Sequence, residues 1–388
     1  MDSNYQQASH SKPSFKDNGL RQICLIVATV SLMACSVTET KAEKSTVESE
    51  TVAQFKRPWA MTFLPDGRLL VTERAGSLKL FDPESRKSLS VTGVPVISDG
   101  GQGGFGDIIL HPDYASNQRV YMSYVEADSD GNRGSVVAYA TLDLSNSNQA
   151  ALENPTIIWR QAPKVSGGAH FGLRLAFGPD KMLYVTSGER RKFEVAQDMT
   201  GNLGKVLRLQ EDGTPAPGNP FADQGGIAAQ AWTIGNRNPL GMAFSPTGEL
   251  WAHEMGPAGG DELNQLVAGN NYGYPFVSDG DHYSGRDIPD HSTDDRYAKP
   301  AISWNPVISP AGLIFYTGEM FPQWQGNALI GGLSARGLVR IAFEGNKARE
   351  AERIPMGSRV REVEQGPDGA VWILTDGSTG QLRRLTPD

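Results

Sequence analysis

A pair of apolar segments joined by a short turn recurs six times along the chain, and this repeat constrains the fold more than any other feature. Each copy passes from an apolar stretch through a turn rich in Pro, Asp and Gly into a second, alternating apolar stretch. Proline fixes φ in the turn and Asp or Gly tolerates the geometry that follows, so each copy predicts a β-hairpin. The turns occupy residues 65–67, 111–113, 178–180, 245–248, 321–322 and 366–369.

Several copies add a further apolar stretch, which gives three to four antiparallel strands per unit. Such a unit repeated six times predicts an all-β fold, a six-bladed β-propeller of four-stranded antiparallel blades. A β-sandwich or a pair of barrels is the competing architecture. A sandwich uses roughly seven to nine strands, fewer than this chain offers, and does not explain the repeat.

The N-terminal 34 residues are predicted to be a signal peptide of lipoprotein type, since basic residues precede a short apolar run at 23–34. The run ends Leu-Met-Ala-Cys, which makes Cys35 the expected lipid-bearing residue, with an ordinary signal peptide as the alternative. Residues 35–51 are poor in apolar side chains and predict a flexible tether. Residues 52–388 then form the propeller domain, and the expected location is the cell envelope, as a periplasmic outer-membrane lipoprotein.

The composition argues against a nucleic acid partner and against a disulfide bond. The net charge is −8, and aromatic residues are not interleaved with basic clusters, so we expect no nucleic acid partner. The two cysteines are Cys24, inside the leader, and Cys35. The exported domain therefore has no disulfide to form.

Polar and charged residues stand directly before several first strands: Gln102, His170, Arg237, Asn238, Arg359 and Arg361. The ends of inner strands line the channel mouth of a propeller, so we expect these side chains to face one site. Arginines and amides beside a histidine describe a site for an anionic, multi-carboxylate molecule with one proton-transfer group. The six histidines are dispersed, which argues against zinc, and no serine or cysteine has the setting of an activated nucleophile.

An acidic, glycine-rich segment at residues 260–264 (GDELN) is followed by 270–275 (NNYGYP). The carboxylates of Asp261 and Glu262, with nearby carbonyl groups, are ligands that calcium prefers. A solvated acidic turn remains the alternative interpretation of these residues.

Taken in order, these motifs resemble one known family: GQGGFGDIILHPDY, HFGLRLAFGPD, GKVLRL, GNRNPLGMAF, EMGP, GDELN, GNNYGYP and WNPVISPAG. They are similar to the soluble pyrroloquinoline-quinone (PQQ)-dependent sugar dehydrogenases, in particular the aldose sugar dehydrogenase branch. The resemblance runs from about Pro58 to the C-terminus. It implies an aldose (glucose/sorbosone-type) dehydrogenase with PQQ and Ca²⁺ as cofactors, which oxidises aldose sugars at C1 to the lactone and passes electrons to an acceptor that the resemblance does not name.

The resemblance also implies a role for each matching residue at the cofactor. His170 matches the base that takes the proton of the anomeric hydroxyl while hydride passes to the quinone. Gln102 matches a residue near substrate and cofactor. Arg237 and Asn238 match a pair that contacts the quinone, where Arg237 stabilises developing negative charge. Arg359 and Arg361 match a clamp on the cofactor carboxylates.

Further matches concern calcium and the plane of the cofactor. The carbonyl groups of Gly256 and Pro257 match ligands of the calcium that bridges protein and cofactor. Asp261, Glu262 and the Tyr272 carbonyl match ligands of a second, structural calcium. Trp304 matches an aromatic residue against the cofactor plane.

Two positions depart from the pattern of the glucose-specific members. Ala169 replaces an aspartate thought to orient the base, so His170 is expected to lack its carboxylate partner. Ala335 replaces a lysine that neutralises the cofactor, and we expect the neighbouring Arg336 to supply that charge. Shorter loops predict a more open site and a broader sugar range.

Two other functions remain open at this point. A calcium-dependent sugar lactonase would need carboxylates around a central metal, and Arg237, Arg359 and Arg361 argue against it. A non-catalytic surface propeller that has lost its cofactor is the second alternative, which Ala169 and Ala335 favour.

Overall fold

The structure, a computed structural model, describes residues 46–345 and 347–388. The predicted signal peptide and residues 35–45 of the predicted tether lie outside the described residues. Residues 47–51 were also assigned to the tether, but they belong to strand β1 (Val47–Lys56). Within the described ranges, no helix has the length and apolar character needed to cross a membrane.

The strands fall into groups of four that follow the sequence repeat. The first two groups are β2 (Pro58–Phe63), β3 (Leu69–Glu73), β4 (Ser77–Asp82) and β5 (Lys87–Thr92), then β6 (Phe105–Leu110), β7 (Arg119–Ala127), β8 (Arg133–Asp143) and β9 (Ala150–Arg160). The next two are β10 (Gly172–Phe177), β11 (Leu183–Ser187), β12 (Lys205–Leu209) and β13 (Ala231–Ile234), then β14 (Pro239–Phe244), β15 (Leu250–Glu254), β17 (Asp261–Gln265) and β19 (Ile302–Trp304). A small sheet of β16 (Ala258–Gly259) and β18 (Gly280–Asp281) accompanies the latter group.

The last two groups complete the chain. They are β20 (Pro310–Phe315), β21 (Ala328–Gly332), β22 (Gly337–Glu344) and β23 (Lys347–Pro355), then β24 (Val360–Gln365), β25 (Val371–Thr375) and β26 (Thr379–Pro387), to which β1 pairs antiparallel. The helices are short: α1 (Tyr114–Asn117) and 3₁₀ turns at Phe193–Ala196, Ala222–Gln224, Ala228–Gln230, His291–Thr293 and Pro322–Trp324.

The first strands of successive groups contact one another in a closed order. Strand β2 contacts β6, β6 contacts β10, β10 contacts β14, β14 contacts β20, β20 contacts β24, and β24 contacts β2. The outer strands β5 and β9 pair in parallel and join the first two groups into one eight-stranded sheet. The prediction of an all-β fold is confirmed, and the arrangement of sheets is propeller-like.

The predicted turns owe their shape to aspartate side chains. Asp66, Asp180 and Asp368 each accept a hydrogen bond from the backbone N–H two residues later, at 3.1, 3.0 and 3.1 Å. This Asx geometry mimics a backbone turn and reverses the chain between the first and second strands. The turn signal in the sequence therefore has a local physical cause.

Apolar side chains from neighbouring groups pack together between the sheets. One cluster combines Leu70 and Leu78 of the first group with Ile108 and Met122 of the second. Another combines residues of the first group with residues of the last, and Phe55 of β1 belongs to it. The ring of Phe55 contacts that of Phe81 edge-on, with centroids 5.8 Å apart. Strand β1 therefore links the two ends of the chain.

We expect Phe55→Ala to lower the free energy of unfolding by about 3–5 kcal/mol, because the deletion leaves a cavity between the first and last groups. Urea unfolding followed by circular dichroism measures the change. Val96→Ala is the matched control, since Val96 is 94% exposed and should change stability little. Equal stability of the Phe55 variant and the wild type would show that β1 is not part of the cooperative fold.

Candidate functional site

Four of the predicted site residues line one cavity of about 240 Å³: Gln102, Asn238, Arg359 and Arg361. Its wall also includes Trp59 of β2, Leu173 of β10 and Leu240 of β14, which belong to first strands of different groups. The predicted convergence of residues that precede first strands is therefore seen in the structure. We call this space the arginine cavity.

A second cavity of about 260 Å³ contains His170, Arg237 and Pro257, together with Phe193 and Tyr283. We call it the aromatic cavity. It adjoins the arginine cavity, because the backbone N–H of His170 donates to Oε1 of Gln102 at 2.8 Å. The histidine thus lies where the two spaces meet.

His170 is buried and has a carboxylate partner that the sequence analysis missed. Its Nδ1 contacts Oε1 of Glu189, whose side chain is fully buried. Glu189 also accepts hydrogen bonds from the N–H groups of Lys192 and Phe193, at 2.7 and 3.2 Å. The expectation that Ala169 leaves the histidine without a carboxylate is wrong, because Glu189 approaches the ring from the end of the neighbouring strand.

Burial lowers the pKa of His170 below its usual 6.5, and the positive charges of Arg237 and Arg191 act in the same direction. The Glu189 carboxylate opposes this shift. An ionised carboxylate can only accept, so Nδ1 carries the hydrogen and Nε2 keeps a free lone pair. The neutral ring is therefore oriented as a proton acceptor.

The arginine cavity carries more positive than negative charge. Arg359 and Arg361 both bond to Asp376, each at 2.9 Å. Arg74, which the sequence analysis did not single out, lines the same cavity and donates to the carbonyl groups of Gly101 and Gly103. Burial and the nearby arginines lower the pKa of Arg74. The charged side chains that line the cavity are thus the guanidinium groups of Arg74, Arg359 and Arg361, which favours an anionic ligand.

Arg237 is 5% exposed and held from two sides. Its Nη1 donates to the Met255 carbonyl at 2.6 Å, and its backbone N–H bonds to Glu254. Within the part of the chain that the structure describes, its Nε has no hydrogen-bond partner. An unpaired buried donor is costly, so this nitrogen marks a place where a polar ligand group would fit.

The acidic residues of β15 and β17 meet at a small cavity of about 10 Å³. Glu254 and Glu262 are direct neighbours across the two strands, and Gly256, Tyr272 and Arg237 are among the other residues of the wall. Burial and the Glu254 carboxylate raise the pKa of Glu262 well above its usual range. Among the described residues, no group of three or more His, Cys, Asp or Glu side chains could hold a metal ion, so any metal here would need backbone oxygens.

Asp261 faces away from this small cavity. Its carboxylate accepts hydrogen bonds from the backbone N–H groups of Gly256 and Ser309, at 3.0 and 2.6 Å. Burial raises its pKa to about 6. The structure therefore brings Glu262 and Tyr272 together, with Glu254 where Asp261 was expected. Gly256, which was predicted to hold the other calcium together with Pro257, lines this small cavity, whereas Pro257 lines the aromatic cavity.

Trp304 and Arg336 lie away from both cavities. Trp304 is on β19, the outermost strand of its group, where it packs against Trp251 and donates from Nε1 to Glu350 at 2.7 Å. Arg336 is exposed and bonds to the Gly357 carbonyl. Neither side chain is positioned for the predicted contact with a cofactor.

The carboxylates that the sequence analysis missed share one position in the repeat. Glu254 is the last residue of β15, and Glu189 and Asp376 follow β11 and β25 closely. An acidic residue at the end of several second strands was therefore a signal available in the sequence. It was not recognised because each such residue follows its strand as part of an ordinary polar turn.

We expect Glu189→Gln to lower the pKa of His170 further, because an amide stabilises the imidazolium less than a carboxylate does. The pKa is measured by following the ring protons of His170 in NMR spectra over a pH series. The signals of His170 are identified by their absence from the spectrum of His170→Ala. Glu194→Gln is the control, since Glu194 is exposed on the adjoining turn. An unchanged pKa in the Glu189 variant would contradict the pairing.

Comparison with known proteins gives a consistent result. Residues 55–384 match the family model described as Glucose / Sorbosone dehydrogenase. The chain is 38% identical over 355 residues to aldose sugar dehydrogenase YliI of Escherichia coli, covering 89% of this chain and 94% of that protein. It is 30% identical over 301 residues to quinoprotein glucose dehydrogenase B of Acinetobacter calcoaceticus, covering 70% of this chain and 62% of that protein.

Solved structures agree with these relatives. The apo-form of the soluble aldose sugar dehydrogenase from Escherichia coli superimposes with a TM-score of 0.84 at 37% identity, covering 88% of this chain and all of that one (100%). The PQQ-bound form of aldose sugar dehydrogenase from Streptomyces coelicolor gives a TM-score of 0.76 at 29% identity, covering 89% and 99%. The resemblance seen in the motifs is confirmed, and the chain belongs to the glucose/sorbosone dehydrogenase family.

Proposed function

We propose that this protein is a PQQ- and calcium-dependent dehydrogenase that oxidises aldose sugars at C1 to the lactone. The observation that carries the proposal is the buried His170–Glu189 pair at the junction of the two cavities. Relatives named as an aldose sugar dehydrogenase and a quinoprotein glucose dehydrogenase support the reaction class. We further infer that the six groups of four strands are the blades of a propeller.

The arginine cavity fits a multi-carboxylate quinone by its chemistry. Arg359 and Arg361 would hold carboxylates of PQQ, while Gln102 and Asn238 offer amide groups beside them. Arg74 adds a guanidinium with no carboxylate hydrogen bond among the described residues. When bound, PQQ supplies the two-electron acceptor for the hydride of the sugar.

The chain itself supplies the base and its orientation. Nε2 of His170 takes the proton of the C1 hydroxyl, while Glu189 holds Nδ1 and stabilises the charged ring that forms. The backbone of His170 is fixed by the Gln102 amide. The guanidinium of Arg237 lies in the same wall as His170 and stabilises negative charge that develops beside it.

The aromatic cavity is suited to the sugar. Phe193 and Tyr283 are 39% and 70% exposed, unusual values for large rings, and both face this space. The apolar face of a sugar ring can pack on such rings while its hydroxyl groups remain accessible to polar side chains. We propose that the sugar lies here with C1 toward His170.

Calcium would be held at two places. Gly256 lines the small cavity and Pro257 lines the aromatic cavity, and their backbone carbonyls would hold the ion next to the cofactor. Glu262 and the Tyr272 carbonyl, with Glu254 opposite, would hold the structural ion. Buried carboxylates so close together repel each other, and a divalent cation would relieve that repulsion.

We also propose export and anchoring. Residues 1–34 would direct the chain across the inner membrane, Cys35 would carry lipid, and a short tether would connect it to the domain. The expected location is the periplasmic side of the outer membrane.

The purified full chain, loaded with PQQ and Ca²⁺, should reduce an artificial dye when an aldose is added. We expect His170→Ala to lower kcat by about 10²–10⁴-fold. His111→Asn is the matched control, because His111 bonds to Glu211 and lines neither cavity. Failure of every aldose after proven cofactor loading would refute the assignment, and lactone hydrolysis without quinone would favour a lactonase.

The pH dependence follows from the neutral form of His170. Because its pKa lies below 6.5, kcat/KM should fall with a midpoint below pH 6.5, as the ring becomes protonated. Glu189, Arg237 and Arg191 are the charged groups that act on it. A fall with its midpoint above pH 6.5 would contradict the role of a buried neutral base.

We expect added Ca²⁺ to raise the thermal unfolding midpoint, because a ligand that binds only the folded state stabilises it by about 2.7 kcal/mol at a hundred times its Kd. Glu262→Gln should reduce the response, because the structural site loses a carboxylate while the carbonyl groups of Gly256 and Pro257 remain. Glu249→Gln is the control, since that carboxylate bonds to Ser245 in a distant turn. Scanning calorimetry with Ca²⁺, Mg²⁺ and EDTA measures the effect, and an intact calcium response in the Glu262 variant would rule out this site.

A further inference from the structure

Arg190 holds the backbone directly before His170. Its Nε donates to the Ala169 carbonyl at 2.8 Å and its Nη2 donates to the Gly167 carbonyl at 2.6 Å. Its guanidinium also lies flat over the ring of Phe171, 3.7 Å from the centroid. One side chain thus contacts residues before and after the histidine.

The segment that Arg190 holds has an unfavourable backbone conformation. His170 has φ of 53°, in the left-handed region that side chains other than glycine seldom adopt. The N–H of Arg190 donates to the His170 carbonyl at 3.2 Å. A Cβ added to Gly188 would lie 2.2 Å from that carbonyl oxygen, so the two backbones are in close contact. Such a conformation persists only where the surroundings enforce it.

The arginine is itself costly to bury. Arg190 is 2% exposed, and its side-chain hydrogen bonds within the described residues go to carbonyl oxygens, including that of Arg133, and to the Gln161 amide oxygen at 3.5 Å. Burial and the charge of Arg133 lower the pKa of Arg190 to about 10. A buried cation without a hydrogen-bonded carboxylate is unfavourable unless its other contacts are well made. The contacts of Arg190 with Gly167, Ala169 and Phe171 exist only while residues 167–171 keep their backbone conformation.

We propose that Arg190 is a positioning residue that fixes the orientation of the His170 imidazole through the backbone of residues 167–171. Glu189 holds the ring and Arg190 holds the chain that carries it, so consecutive residues restrain the base at two levels. The inference rests on the proposed function, in which His170 is the base. Arg190 lines neither cavity, so its effect on the reaction is indirect.

Arg190→Met removes the hydrogen bonds and keeps the approximate length of the side chain. We expect kcat to fall about 10–100-fold, as displacement of a catalytic group by about 1 Å can do, while the affinity for PQQ stays within about two-fold. In a His170→Ala background the same substitution should cause no further loss, because Arg190 acts only through His170. Losses that multiply in the double variant would overturn the proposal.

Two more variants separate positioning from general stability. Arg340→Met also removes a buried guanidinium, one that bonds to Asn327 and Glu352 far from His170, and should leave kcat unchanged. Arg190→Lys keeps the charge without the planar group and should restore part of the activity. If Arg190→Met does not fold, Arg190→Lys takes its place. Its effect on kcat is then compared between the wild-type and His170→Ala backgrounds. An equal loss of kcat in the Arg340 variant would assign the effect to stability.

A readout without turnover distinguishes failure of this inference from failure of the proposed function. Burial lowers the pKa of His170 in the wild type, and NMR spectra over a pH series would measure this pKa in each variant. Arg190→Met should bring it closer to 6.5, since a loosened segment admits water to the ring. This result is expected whether or not the protein oxidises sugars. An unchanged pKa in a folded variant would show that Arg190 does not control the setting of His170.

Discussion

In several of the four-stranded groups, a buried acidic residue at the end of the second strand bonds to the chain segment that leads into the first strand. The candidate site depends on this contact. Glu189 bonds to the ring of His170, and Asp376 bonds to Arg359 and Arg361. Glu254 accepts hydrogen bonds from the backbone N–H groups of Arg237 and Asn238. Glu73 accepts one from the backbone N–H of Lys56. Antiparallel pairing places the end of one strand beside the start of the other, so every group that carries such an acid anchors its own entry loop.

Local features of the sequence were sufficient to predict the strand groups. Asp66 and Asp180 form their turns with backbone groups only two residues away, so the turn signal does not depend on distant parts of the chain. The convergence of Gln102 and Asn238 could also be predicted from the sequence, because the residues that precede first strands meet in any closed ring of such groups. The partner of His170 lies 19 residues away, and its discovery required the antiparallel geometry of β10 and β11.

Residues that are neighbours in sequence were harder to assign, because adjacent positions on a strand face opposite sides of the sheet. Asp261 and Glu262 open β17, and only Glu262 turns to Glu254 and the small cavity. Asp261 instead caps the N–H groups of Gly256 and Ser309. Trp304 lies on β19, the outermost strand, opposite Asp261 of β17. The ring of Trp304 points into the core. Motif spacing cannot decide which of two successive side chains faces a ligand.

Arginines bonded to carbonyl groups give the two glycine-rich loops their shape before any ligand binds. Arg74 and Arg133 hold residues 98–103, and Arg190 holds residues 167–169. A carbonyl acceptor carries no full negative charge, so these hydrogen bonds do not neutralise the guanidinium groups. Of these three arginines, Arg74 lines the arginine cavity, so an anion that enters there meets its guanidinium and need not order the loops, which reduces the entropic cost of binding. The same bonds that shape the loops therefore also prepare the site for its ligand.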